Sequence, residues 1–355
     1  MKPLTLFSVA AFVAGTSLTG TYASGVEEAG SPPPTSLENA LEHPTIGCGG
    51  AVVQTPRPGT QFADPLLTAP KSAISFYAKA ASLNATWLST LDCTATGRTH
   101  VLIPAAPNAP TSGDENTAYI SLNWSGYQIN NTAQFVQSGW TIPTVVNPPL
   151  LNRYSTTGYA SSTWAGIGGG VGGADPLIQS GSAQDLSASN VATYYFWYEI
   201  VPGLGEIKIN NHPVAPGDDV GAASIWLQST MQAEMGICNF TRGTPTCVQF
   251  YVSNTPQPGA TVEWIVEAPT SYGVIQPLAD FGLVNFYNAC WAATYTPGPT
   301  VPCSPINVPG VTSPSSLSLR QKVFGCYQFL AIPQALTSNS SFTDTYRLPA
   351  RSSCP

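Results

Sequence analysis

Short runs of alternating apolar and polar residues dominate the chain from about residue 117 onward, and Gly, Pro or Asn separates most of them. The runs are AYISLNWSGYQI, FVQSGWTIP, SSTWAGIGG, PLIQSG, TYYFWYEIV, EIKIN, VGAASIWLQS, CVQFYVS, TVEWIVEAP and FGLVNFYNA. A period of two places successive side chains on opposite faces of a strand, whereas a helix would show a period of 3.6 residues. The pattern therefore predicts an all-β protein, an antiparallel sandwich or barrel.

Composition divides the chain into four parts. Residues 1–24 combine Lys2, an apolar run and small residues, which is typical of a secretory signal peptide; a membrane anchor is the alternative, but the run is short for a span. Residues 25–116 are rich in Pro, Ala, Ser and Thr and are interpreted as a propeptide and linker, with a retained N-terminal extension as the alternative. Residues 117–291 hold the predicted sandwich, and residues 292–355 form a C-terminal extension packed on it.

The cysteines and the low charge indicate the location of the protein and exclude some classes of binding partner. Eight cysteines without a CxxC motif indicate disulfides and an oxidising, extracellular location. The easiest pair to propose is Cys238 with Cys247, which flank a turn-like sequence; looser proposals are Cys290 with Cys303, Cys326 with Cys354, and Cys48 with Cys93. Only 9% of the residues are charged and the net charge is −7, so nucleic acid and anionic membranes are poor partners. We expect a secreted monomer whose few carboxylates suit an acidic medium.

Histidine is too scarce for several kinds of catalysis. The predicted sandwich contains only His212, because His43 and His100 fall in the predicted propeptide. No GxSxG or HExxH motif occurs, and no cofactor or metal is expected. Carboxylates and amides remain, and Glu199, Glu263 and Glu267 each stand inside an apolar strand sequence. In VEWIVEAP (262–269), the alternation puts both glutamates on the same face.

Six stretches in order resemble one family, the eqolisins or glutamic peptidases. They are NWSGY (123–127), STWAGIGG (162–169), LIQSG (177–181), TYYFWYEIVP (193–202), APGD (215–218) and VEWIVE (262–267). The resemblance covers roughly residues 120–290. It implies a β-sandwich of two antiparallel sheets of the concanavalin-like or jelly-roll type, a signal peptide, a removed propeptide, and pepstatin-insensitive acid endopeptidase activity on proteins and peptides.

The resemblance also implies roles for single residues. It places the catalytic glutamine at Gln179 and the catalytic glutamate at Glu267, with Glu263 as a supporting residue. It assigns the substrate cleft to Trp164, Trp197 and Glu199. Two positions at which the family often carries aspartate read Gly168 and Tyr195 here.

Two other functions fit the pattern of residues. A jelly-roll glycoside hydrolase would use Glu263 and Glu267 as its carboxylate pair, although Ile265 stands where such enzymes generally carry an aspartate. A non-catalytic carbohydrate-binding sandwich would use exposed aromatic residues and would need no buried Gln–Glu pair.

Overall fold

The computed structural model describes residues 45–47, 51–54, 92–105, 118–148, 157–173, 176–241, 247–296 and 302–349. The predicted signal peptide, residues 1–24, and most of the predicted propeptide lie outside these ranges and remain predictions. Within the described residues, all regular structure is β-strand. This confirms the predicted all-β class.

The described residues form twenty-two strands, which are numbered along the chain. They are β1 Thr45–Gly47, β2 Ala51–Gln54, β3 Cys93–Ala95, β4 Arg98–Thr99, β5 Tyr119–Ser121, β6 Trp124–Ile129, β7 Phe135–Thr141, β8 Tyr159–Ile167, β9 Leu177–Leu186, β10 Ala192–Val201, β11 Leu204–Ile209, β12 Asp219–Leu227, β13 Gln232–Asn239, β14 Cys247–Ser253, β15 Val262–Glu267, β16 Thr270–Ser271, β17 Val274–Ile275, β18 Leu283–Ala292, β19 Ser304–Pro305, β20 Ser315–Val323, β21 Cys326–Pro333 and β22 Phe342–Tyr346.

These strands form two layers. The cleft sheet runs in the order β3, β11, β10, β9, β8, β15, β6, β20, β21, and the back sheet in the order β2, β14, β13, β12, β7, β18, β22. Neighbours in these two orders pair antiparallel, while the short strand β5 pairs with β20 in parallel. Strand β21 also pairs with β22, which joins the layers. The architecture is the β-sandwich that the sequence predicted.

The alternation in β15 shows how sequence selects the two faces of the cleft sheet. Val262, Trp264 and Val266 pack into the main core between the layers. Ile265 lies on the opposite face, in a second buried cluster that includes Trp124, Trp164, Tyr195 and Trp197. Glu263 and Glu267 share this second face by the same period of two. One strand therefore sends Val262, Trp264 and Val266 to the main core and both glutamates to the opposite, also buried, face.

Disulfides confirm two of the proposed cysteine pairs. Cys238 is bonded to Cys247, and Cys290 to Cys303. Cys93 and Cys326 are also disulfide-bonded, and the partners proposed for them, Cys48 and Cys354, lie outside the described residues. The described residues contain no helix that is long and apolar enough to cross a membrane.

Both regions that flank the predicted sandwich contribute strands to it. From the C-terminal side, β20 pairs with β6 in the cleft sheet and β22 pairs with β18 in the back sheet. From the N-terminal side, β3 pairs with β11 at the edge of the cleft sheet, and β4 pairs with β16 in a small separate sheet. Residues 92–105, called the strap below, therefore reach the face of the cleft sheet.

Candidate active site

Gln179 and Glu199 form the first contact of the site. They stand directly opposite each other on neighbouring strands β9 and β10, and both are fully buried. Gln179 Nε2 donates to Glu199 Oε2 at 2.9 Å. Burial raises the pKa of Glu199 to about 8, although the nearby positive charge of His100 lowers it. The Glu199 carboxyl group thus fixes the direction in which the carboxamide of Gln179 points.

Glu267 ends strand β15 and is held by two donors. Trp164 Nε1 donates to Oε2 at 2.9 Å, and Asn123 Nδ2 donates to Oε1 at 3.0 Å. Burial raises the pKa of Glu267, while His100 and the indole of Trp164 act in the opposite direction. Donors that face a carboxylate favour its ionised form. Asn123 and Trp164 therefore orient the carboxylate with a donor on each oxygen, and Oε2 also faces the ring of His100.

His100, from the strap, lies between two carboxyl groups. Its Nδ1 is 3.0 Å from Glu267 Oε2, and its Nε2 is 2.7 Å from Glu206 Oε2. The ring stacks on Trp197 at a centroid distance of 3.8 Å. Burial opposes the charge of the imidazole, but the two glutamates outweigh it and raise the pKa of His100 to about 10. The group is therefore an imidazolium at neutral pH.

The backbone of His100 contacts the other half of the site. Gln179 Nε2 donates to the carbonyl oxygen of His100 at 3.0 Å, and the His100 amide donates to Glu199 Oε2 at 2.9 Å. One residue of the strap thus has its carbonyl group on Gln179 and its side chain on Glu267. His100 therefore contacts both residues that the family resemblance pairs, Gln179 through its backbone carbonyl and Glu267 through its ring.

Glu263 belongs to a different environment. The strand register places it in one row with Gln179, with only Gly166 of β8 between them. Burial raises its pKa well above the usual value, and the Thr261 hydroxyl and the Gly170 amide act against this. A Cβ built at Gly170 would lie 2.5 Å from Glu263 Oε1, so this carboxyl group packs against the glycine-rich loop.

The structure thus brings together five of the six residues that the sequence singled out: Gln179, Glu267, Glu199, Trp164 and Trp197. Three further residues of the site were not predicted. Asn123 stands inside the motif NWSGY, and Glu206 is a charged residue in the strand sequence EIKIN, so both carried a signal. His100 was set aside because its region reads as a propeptide. In the part of the chain that the structure describes, no group of His, Cys, Asp and Glu side chains is arranged to hold a metal ion.

One face of the cleft sheet thus carries a carboxamide and several buried carboxyl groups, side chains that can donate hydrogen bonds and transfer protons. The sequence model of the peptidase A4 family matches residues 122–305, just over half of the 355 residues. The chain belongs to this family, the eqolisins, and is a glutamic-type endopeptidase. This confirms the family that the motifs indicated, and it selects a peptidase over the glycoside hydrolase and the carbohydrate-binding sandwich.

Solved structures similar to this chain include two of scytalidoglutamic peptidase with transition-state analogues and one of SCP-B with the tripeptide Ala-Ile-His. Scytalidoglutamic peptidase shows 18% and 17% identity with TM-scores of 0.44 and 0.45, and SCP-B shows 17% with a TM-score of 0.44. Each match covers 63% of this chain and 98% of the other. No curated protein sequence matches the chain.

Proposed function

We propose that the chain is a secreted, monomeric acid endopeptidase in which Glu267 and Gln179 form the catalytic dyad. The observation that carries the proposal is the position of His100, whose carbonyl oxygen accepts from Gln179 Nε2 while its ring contacts Glu267 Oε2. A substrate carbonyl in the place of the His100 carbonyl would meet an amide donor on one side. A water in the place of His100 Nδ1 would meet a carboxylate.

Peptide hydrolysis needs a base for water, a donor for the oxyanion and an acid for the leaving amine. Release of the strap opens Glu267 to water, and the donors Asn123 and Trp164 favour its ionised form. Ionised Glu267 then takes a proton from the water that attacks the carbonyl carbon. Gln179 Nε2 donates to the oxygen as it gains negative charge, and a carboxamide does so at any pH. Glu267 then gives its proton to the departing nitrogen as the C–N bond breaks. Glu199 fixes the Gln179 amide, while Trp164 and Asn123 fix the carboxylate.

The full-length chain is a zymogen in this proposal, because the strap occupies the site. The imidazole of His100 occupies the position beside Glu267 Oε2 at which the attacking water would bind, so the strap is bound without being cleaved. Removal of the N-terminal region, residues 25–116, would open the cleft and give the mature enzyme. Substrates are proteins and peptides, and no cofactor takes part.

Acid is the expected trigger of this opening. A single imidazolium cannot neutralise both Glu206 and Glu267, and the pKa of Glu206 is lowered by the shorter bond to His100 whereas that of Glu267 is raised. As the pH falls through the raised pKa of Glu267, this carboxylate is protonated first. The charge that holds Nδ1 is then lost and the strap is weakened.

The test uses this protein, first incubated in acid, as the enzyme. A denatured protein is the substrate, and digestion is measured at about pH 4 in the presence of pepstatin. We expect cleavage by the wild type and its loss in Glu267→Gln. Gln179→Ala should lose about 10²–10³ in rate, the usual effect of one oxyanion donor. Glu263→Gln is the matched control on the same strand face and should keep substantial activity. Normal activity of Glu267→Gln would refute the dyad.

A further inference from the structure

The strap places two cationic side chains in the cleft at alternate positions. Arg98 and His100 are separated by one residue, so in an extended peptide they lie on the same side. Arg98 Nη1 is 2.8 Å from Asp185 Oδ1 and 2.7 Å from the Tyr195 hydroxyl oxygen. His100 Nε2 is 2.7 Å from Glu206 Oε2. The chain has only 12 Lys and Arg residues, and this pairing of cations with acids is therefore not a general surface property.

The acids that receive these cations form a connected unit. Tyr195 donates its hydroxyl hydrogen to Glu206 Oε1 at 3.0 Å and accepts from Arg98. Glu206 and Tyr195 are buried, and Asp185 side-chain exposure is only 21% with the strap in place. When the strap leaves, these groups lose their cations and face the cleft. Buried carboxylates without partners favour binding of a new cation.

The strap also shows the path that a peptide takes. Its strand β4 pairs with β16, with Arg98 opposite Ser271 and Thr99 opposite Thr270. This is the addition of a strand to a sheet edge, a common mode of peptide recognition in which main-chain bonds give affinity and alternate side chains give specificity. The residue that follows this strand is His100, whose carbonyl oxygen accepts a hydrogen bond from Gln179 Nε2.

We propose that the cleft selects peptides with two basic residues separated by one residue, and that cleavage follows the second of them. This inference rests on the proposed function and deepens it by naming the substrate class. Glu206 determines specificity for the basic residue whose carbonyl group is attacked, and Asp185 for the residue two positions before it. Tyr195 positions Glu206 through its hydroxyl group.

Lysine and histidine differ at the second basic position. The imidazole of His100 has two nitrogens and contacts Glu206 and Glu267 together, which blocks the base. Lysine carries a single cationic group, so pairing with Glu206 leaves the Glu267 oxygen to water. The sequence Arg-Thr-His of the strap is therefore an inhibitor, and the same sequence with lysine in place of histidine is a substrate.

Four peptides on the strap sequence from Arg98 to Ile103 test the proposal: Arg-Thr-Lys-Val-Leu-Ile, Met-Thr-Lys-Val-Leu-Ile, and the two analogues with norleucine in place of lysine. They are assayed with the full-length chain after acid incubation. A hydrogen bond to a charged group contributes about 1.5–3 kcal/mol, so we expect each cation to raise kcat/KM by about tenfold or more. In Glu206→Gln, the ratio of kcat/KM between the lysine and norleucine peptides should fall close to one, while the ratio between the arginine and methionine peptides is kept. In Asp185→Asn, the arginine-to-methionine ratio of kcat/KM should fall close to one, while the lysine-to-norleucine ratio is kept.

Equal kcat/KM values for all four peptides in the wild type would overturn the inference and leave the peptidase intact. Ratios that neither variant changes would overturn the assignment of Glu206 and Asp185. If a variant does not fold, the wild-type ratios still decide. If no peptide is cleaved, the proposed function fails, and a binding experiment then tests the inference. Arg-Thr-His-Val-Leu-Ile should quench the fluorescence of Trp197 at lower concentration than Met-Thr-Gln-Val-Leu-Ile. Equal binding of these two peptides would refute the inference.

Discussion

Replacing His100 by alanine should open the full-length chain without any proteolysis. The substitution removes the hydrogen bonds of an imidazolium to Glu206 and Glu267, at 2.7 and 3.0 Å. Hydrogen bonds to charged groups contribute about 1.5–3 kcal/mol each, so the closed form should lose at least about 3 kcal/mol. This corresponds to a shift of roughly 100-fold in the equilibrium between bound and released strap. The two carboxyl groups, left buried without their cation, add to this effect.

The assay is cleavage of a quenched fluorescent peptide by full-length protein at about pH 6, a value above the ordinary range of carboxyl groups. We expect the wild type to be inert and His100→Ala to be active while gel electrophoresis shows an uncut chain. Thr99→Ala is the matched control, because Thr99 is the exposed residue that precedes His100 in the strap, and this variant should remain inert. The reasoning is refuted if His100→Ala is as inert as the wild type although acid-treated wild type cleaves the peptide. Urea unfolding of each variant excludes loss of the fold as the cause.

Three further predictions concern stability and pH. Burial raises the pKa of Asp344 to about 7, about three units above 3.8, so ionising it in the folded protein costs roughly 4 kcal/mol. The native state then binds this proton more tightly than the unfolded state, and the free energy of unfolding should fall between about pH 4 and pH 8; Asp344→Asn should reduce that fall in urea unfolding, and an unchanged slope would contradict the prediction. Trp164→Phe removes the donor on Glu267 Oε2, so the pKa of Glu267 should rise and the acid limb of kcat/KM should move up by about one pH unit; an unmoved limb would count against this role. In Gly170→Ala the new methyl group would lie 2.5 Å from Glu263 Oε1 and 2.6 Å from Gln128 Oε1, and urea unfolding should show a loss of about 1–3 kcal/mol, whereas wild-type stability would show that the loop yields freely.

The period of two in the sequence was sufficient for the fold class and for the faces of single strands. In β15 it separated Trp264, in the core, from Glu267, in the cleft, because an antiparallel sheet packed on one side imposes that alternation. It could not predict that β20 would pair with β6, since that pairing joins residues nearly two hundred positions apart. Local patterns indicate a strand but not its partner, which is decided by packing of the whole sandwich.

The candidate site was predicted in part, for a similar reason. Gln179 was found by resemblance to family motifs and Glu199 already by its place inside an apolar strand sequence, and the structure places them in contact. His100 was missed because it falls in residues 25–116, whose composition, rich in Pro, Ala, Ser and Thr, was interpreted as that of a propeptide. Its position depends on pairing of β3 with β11 and on acids contributed by other strands. A single histidine carries no local signal of these contacts.

Strand β20 has a consequence for biosynthesis. Its residues Ser315–Leu317 complete the cleft sheet beside β6, and the hydroxyl of Ser316 accepts from the amide of Ala118, 198 residues earlier. A chain that emerges from the ribosome N-terminus first therefore cannot finish the sheet until residues beyond 315 are synthesised. Contacts of such long range also form slowly. A half-made chain would lack the support for β6 and its neighbour β15, which carries Glu267, so proteolytic competence should arise only after synthesis of nearly the whole chain.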